Sequence, residues 1–222
     1  MSCSTARVSD RSYYQEAEQE PITQSLFNDK DSNISEENIQ KILNGSYKLP
    51  DQLRVAVVKL ESKQTQRNYY YWRDEHYLKA QQSYQDMLSG ILKGSSRVSQ
   101  TSIIPSILVS SNPTFTNIRE SAVRMQADVV LIYSINCDIY EKYRLFSSTD
   151  IKAFATTQVV LMDVRTGLIP FSTIATKDFQ SKKQKEDMDD SEAKERVKNQ
   201  AVLLTMEEIG TQLSAFLNKG NL

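Results

Sequence analysis

The sequence predicts an α/β (α+β) fold: a mixed sheet of about five strands with helices packed on it, ending in a β-meander and a long C-terminal helix. Three observations carry this. The run Leu53 to Leu60 is β-branched and nearly continuous in apolar character, as a strand buried on both faces should be. Three further strand candidates follow one another late in the chain, at 129–143, 151–164 and 168–179. Val202, Met206, Ile209, Leu213 and Phe216 then recur at steps of four and three, the stripe of a helix lying on a core.

The elements can be justified in order. Residues 1–33 carry an early Cys and then a Ser-, Gln-, Glu- and Asp-rich arm, which reads as a flexible polar tether. Residues 34–222 read as one α/β domain. Its first helix is expected at 36–44, with Ser35 as N-cap, Ile34 and Ile39 as a hydrophobic staple, and Asn44-Gly45 as a left-handed stop. Ile39, Ile42 and Leu43 share one side of it. After the strand 53–60, Tyr77, Gln81, Tyr84, Leu88, Ile91 and Leu92 recur at helical spacing, so a long helix is expected over 70–92. Strands are expected at 98–104 and 106–110, with Pro105 marking a bend or an edge. A short helix over 117–126 has Ile118, Ala122 and Met125 on one face, and Asn117 and Glu120 spaced as a capping pair. Asp163-Val164-Arg165-Thr166-Gly167 divides the last two strands, with Gly167 free to take positive φ in a hairpin turn. Residues 182–190 form a charged connector to the last helix, 191–217.

Composition limits the chemistry. Of 222 residues, 39% are hydrophobic and 25% charged, enough for a core and too few charges for wholesale disorder. Six Gly and five Pro fall well below the roughly 12% of average usage, which favours long regular elements over Gly-rich repeats. Lys and Arg number 27 against 28 Asp and Glu, so no whole-protein electrostatic drive onto nucleic acid exists. Two Cys and one His cannot supply a four-ligand Cys/His zinc site. No dinucleotide fingerprint, phosphate-binding loop or nucleophile elbow is present. No cofactor, metal or catalytic residue is therefore expected.

His76 stands near Asp74 and Glu75, but residues two apart diverge on a helix, which favours a solvated face. Cys137 falls within a strand and reads as a small buried hydrophobe. The densest aromatic cluster is Tyr69-Tyr70-Tyr71-Trp72. Tyr70, Tyr71 and Trp72 are candidates for a partner-binding surface, and rings covering a sheet edge or the helix start are the alternative. At the N-terminus, Ser2-Cys3-Ser4 followed by a polar arm looks like the end of a bacterial lipobox, with Cys3 as the lipidated residue and an apolar leader expected upstream. A Cys in a cytoplasmic protein is the other reading.

Three segments go beyond general α/β patterning. Ala127-Asp128-Val129-Val130-Leu131-Ile132-Tyr133-Ser134-Ile135 resembles a conserved strand of the curli-assembly CsgG family and its relatives, though Tyr133 stands where Gly is common. Val160 to Ile169, through Asp163, Arg165, Thr166 and Gly167, is similar to the family's hairpin. Leu53 to Leu60 stands at its first strand, with Leu60-Glu61 in place of an aromatic exit. Those relatives include lipoproteins that activate penicillin-binding proteins and the amino-terminal domain of the Tol-Pal propeller protein. The resemblance implies a non-catalytic bacterial cell-envelope lipoprotein, periplasm-facing and anchored through Cys3, and Ser4 rather than Asp after that Cys resembles the sorting pattern of outer-membrane lipoproteins. It implies binding to or assembly with other envelope proteins, and allows homo-oligomers. A subunit of an outer-membrane secretion or transport assembly is the alternative, and an envelope hydrolase the third. For a pore, each membrane strand needs roughly 9–11 alternating residues, and the inserts 62–68 and 143–150 are short and polar.

Overall fold

The computed structural model describes residues 35–60, 75–109, 113–144 and 147–219. Cys3, the arm, and Tyr70, Tyr71 and Trp72 lie outside them. The elements are α1 (Glu36–Asn44), β1 (Leu53–Leu60), α2 (Glu75–Lys93), β2 (Val98–Ile103), α3 (Phe115–Arg124), β3 (Val129–Arg144), β4 (Ser147–Asp163), β5 (Phe171–Lys182) and α4 (Asp190–Lys219). The strands form one five-stranded mixed sheet in the order β2-β1-β3-β4-β5. β2 and β3 run parallel to β1, and β3, β4 and β5 form the antiparallel meander that the sequence predicts.

Two cores separate on the two faces. The larger lies under α2 and α4 and takes Val55 and Val57 of β1, Leu131 and Tyr133 of β3, and Leu161 of β4. The smaller lies under α3 and takes Ala56 and Val58 with Val130, Ile132 and Met162. The alternation of neighbours is why Leu53 to Leu60 reads as continuously apolar: odd and even residues enter different cores. From β1 the chain moves one way along the sheet to β2, then back past β1 to β3. Right-handed crossovers in opposite directions must lie on opposite faces, which puts α2 and α3 on opposite sides. The stripe of α4 is buried as expected, with Val202, Met206, Ile209 and Leu213 fully covered.

Local expectations fail at three places, each for a stated reason. Gly45 is extended (φ −91°) rather than left-handed. The extended exit carries Tyr47 toward Asp163 and Leu49 into the larger core. Ser106 to Leu108 form a 3-10 turn instead of a strand. Pro105 has no N–H to pair, and its carbonyl accepts from Leu108 N at 2.9 Å, closing the turn. α3 starts earlier than Asn117 because Thr114 is the cap: its Oγ1 accepts from Asn117 N (3.2 Å), while Asn117 Oδ1 accepts from Thr114 N (3.4 Å). Glu120 instead pairs with Arg124 one turn on, at 3.1 Å.

Candidate functional site

The turn between β4 and β5 is built around one carboxylate. Asp163 Oδ1 accepts from Arg165 N (2.9 Å), Thr166 N (2.7 Å) and Thr166 Oγ1 (3.0 Å). Its Oδ2 accepts from the hydroxyl of Tyr47 at 2.9 Å. Burial and the neighbouring Asp163 charge push the Tyr47 hydroxyl far up, so it stays a donor. Gly167 N donates to Asp163 O at 2.9 Å and Gly167 takes φ 79°, as its place in the turn predicts. These four donors make the carboxylate the hub of the turn. Replacing Gly167 with Val should cost at least about 1 kcal/mol through left-handed strain on a β-branched residue. An unchanged denaturation midpoint would contradict that conformation.

The same turn reaches the other two segments that carry the family resemblance. Arg165 Nη2 donates to Asp128 Oδ1 at 3.0 Å. Asp128 also accepts from Arg54, through the backbone N–H (3.0 Å), Nε (3.0 Å) and Nη2 (2.9 Å). The Arg of the first strand, the Asp preceding β3 and the Arg of the hairpin thus form one clasp. Arg54 above all, aided by Arg165, holds the buried Asp128 at about 2. Its charge is spent on tying β1, β3 and the β4–β5 turn together. These are structural residues.

His76 and Cys137 do not converge. His76 lines a cavity of about 410 Å³ between α2 and α4, with Asp187, Glu192 and Arg196; Cys137 lines a different one. Burial first of all pushes the Cys137 thiol up to about 11, so it stays protonated at neutral pH. Among the described residues no group of three His, Cys, Asp or Glu could hold a metal ion. No described helix is long and apolar enough to cross a membrane.

What the fold does display is a sheet face that no described helix covers. β3, β4 and β5 run on beyond the part paired with β1, which ends at Leu60–Ser134. On one side of this extension α4 covers Ile151, Ala153, Ala155 and Ala175. On the other side α3 reaches only Val130, Ile132 and Met162 near the base. The residues beyond point to solvent: Tyr140 is 59% exposed, Phe154 42% and Ile174 65%. Register places Asp138, Phe154 and Asp178 in one row across the three strands, and Tyr140, Lys152 and Gln180 in the next. Lys152 and Asp178 pair at 3.0 Å beside Phe154. Tyr140, Phe154 and Ile174 thus stand on this face as separate apolar groups, interspersed with Asp138, Lys152, Asp178 and the Thr156–Thr176 pair. The sequence shows the alternation of these strands but not which side a helix leaves bare, so reasoning from sequence misses Tyr140, Phe154 and Ile174.

No family model matches the chain, and no curated protein matches it. Solved structures do. A hypothetical protein, CT253, from Chlamydia trachomatis is 14% identical over 75% of this chain and 98% of its own, with a TM-score of 0.40. A minor lipoprotein from Acinetobacter baumannii is 9% identical over 73% of this chain and 92% of its own (TM-score 0.37). Lipoprotein GNA1162 from Neisseria meningitidis is 12% identical over 73% of this chain and 98% of its own (TM-score 0.35). Bacterial lipoproteins are thus among the chains similar to this one. At these identities and scores the likeness says nothing of partners or sites, and the tie to the curli-assembly family rests on the three sequence segments.

Proposed function

We propose that this chain is a non-catalytic, lipid-anchored module of a bacterial cell envelope that binds other proteins on the periplasmic side of the outer membrane. The observation that carries it is the bare face of the β3–β4–β5 extension. Exposed Tyr140, Phe154 and Ile174 stand on one face of the extension, uncovered by any described helix, while α4 packs on the opposite face. Large apolar groups with few torsions to order, bordered by charge, are what a protein contact uses. Tyr70, Tyr71 and Trp72, which precede α2, are the second candidate contact group. The motif resemblance supports the envelope assignment, and Ser2-Cys3-Ser4 ahead of a polar arm supports Cys3 as the lipid-bearing residue.

The anchoring half is tested by expressing the gene with its upstream reading frame in cells fed an alkyne-tagged fatty acid. Label should enter the wild-type protein and be lost on Cys3→Ser. Label retained by that variant would remove Cys3 from the account.

A further inference from the structure

We infer that the outer edge of β5 is a pairing site for β5 of a second copy of this chain, joining the two sheets across an antiparallel twofold. β5 ends the strand order, and among the described residues no strand pairs with its outer side. Proteins usually blunt such an edge with a short strand, a bulge or Pro. The opposite edge carries these devices: β2 has 6 residues, a register shift lies in its pairing with β1, and Pro105 follows. β5 has none of them. Its 12 residues contain no Pro, and its pairing with β4 runs without a register shift from Phe171 to Lys182. The strand is also held in place by α4. Phe171 packs on Phe216 with 5.1 Å between ring centres, Thr173 donates to Gln212 Oε1, and Lys177 pairs with Glu208 at 2.6 Å. A strand already ordered loses little freedom on gaining a neighbour.

The strand complements itself in one register. Across a twofold, opposed residues must lie on the same face, so each axis position fixes every pair. An axis through Lys177 or Asp178 opposes like charges. An axis through Ile174 sets Phe171 against Lys177, and one through Thr176 sets Ile174 against Asp178. An axis through Ala175 avoids all of these: Ile174 faces Thr176, Ser172 faces Asp178, Thr173 faces Lys177, and Phe171 faces Phe179. Both rings are only partly buried against the larger core, so pairing extends their burial. The helices fit as well. α4 packs evenly over β4 and β5, which places its axis about half a strand spacing, roughly 2.4 Å, inside β5. One further strand spacing of about 4.8 Å between the copies brings the two α4 axes about 9.6 Å apart. Packed helices lie roughly 8–10 Å apart. Since Thr173 bonds Gln212 and Lys177 bonds Glu208, Ala175 stands level with the stretch between those two helix residues. The twofold then sets Glu208 against Gln212 of the second copy, not against its own image. The axis is perpendicular to the sheet, so the bare faces of the two copies lie side by side. Pairing itself needs neither that face nor the lipid anchor.

Sedimentation of the purified full chain, under reducing conditions that exclude a Cys-linked dimer, should give about twice the 25.4 kDa of one chain. Ser172 is exposed, so its substitutions leave the fold intact. Ser172→Asp opposes Asp178 of the other copy at both ends of the pair and should weaken the dimer at least about tenfold. Ser172→Lys meets the same carboxylate with the opposite charge and should not weaken it. Hydrogen exchange at the β5 amides should slow as the protein concentration rises through the dissociation constant. A monomer overturns the proposal. If its β5 amides are protected at every concentration, another segment of the same chain holds the edge, and if they exchange freely the edge stays open. A dimer that ignores Ser172→Asp, or that loses as much with Ser172→Lys, uses another surface and equally overturns it.

Discussion

Replacing Asp128 with Ala should lower the unfolding free energy by about 2–3 kcal/mol at pH 7, a large share of what a domain of this size possesses. The substitution strands three donors of Arg54 and one of Arg165 beside a buried gap. It also uncouples β1, β3 and the β4–β5 turn, which the Asp128 carboxylate joins by hydrogen bonds. Because Arg54 is itself 39% exposed, water can recover part of its loss, and the effect falls short of a fully buried pair. The pH dependence has a definite sign. Folding depresses the Asp128 carboxyl from 3.8 to about 2, so its contribution is complete above about pH 4 and disappears as pH falls through about 2. Urea titrations of wild type and Asp128→Ala should therefore converge under acid. A gap that stays constant from pH 7 to pH 2 would contradict the ion-pair account.

The second large effect concerns the core. Leu88 of α2 has no exposed surface and meets α4 and β1 in the larger core. Leu88→Ala should cost about 2–5 kcal/mol, from lost burial together with the cavity left behind. Leu43→Ala, the same chemical change, should cost under about 0.5 kcal/mol. Leu43 shares the apolar side of α1 yet is 70% exposed, and α1 buries none of its residues. Comparable losses at the two positions on chemical denaturation would mean that α1 packs as a core helix.

That contrast marks what the sequence can and cannot reveal. Periodicity identifies α4, β1 and the meander correctly because burial on a known face is what periodicity records. It places α1 correctly at Glu36–Asn44, but its apolar stripe does not specify how deeply the helix is buried. It misleads at Ser106 to Leu108, where β-branched neighbours look like a strand until Pro105 closes a 3-10 turn. The hairpin at Asp163 to Gly167 is legible because its bonds are local, two to four residues apart. The clasp on Asp128 is not, since Arg54 lies 74 residues away and only the parallel pairing of β1 with β3 brings them together. The bare face is of this second kind. It depends on where α3 and α4 lie across the sheet, which no spacing along the chain specifies.

The claim of a protein-binding envelope module is met most directly by photo-crosslinking in cells of the native bacterium, with the full reading frame expressed. A photoreactive amino acid at Phe154, and in a second strain at Trp72, should yield discrete adducts with proteins of the cell envelope. The same group at Lys93, an exposed position at the end of α2, should yield none of them. Failure of both Phe154 and Trp72 to give adducts absent from the Lys93 control, or adducts confined to cytoplasmic proteins, would contradict the proposed function.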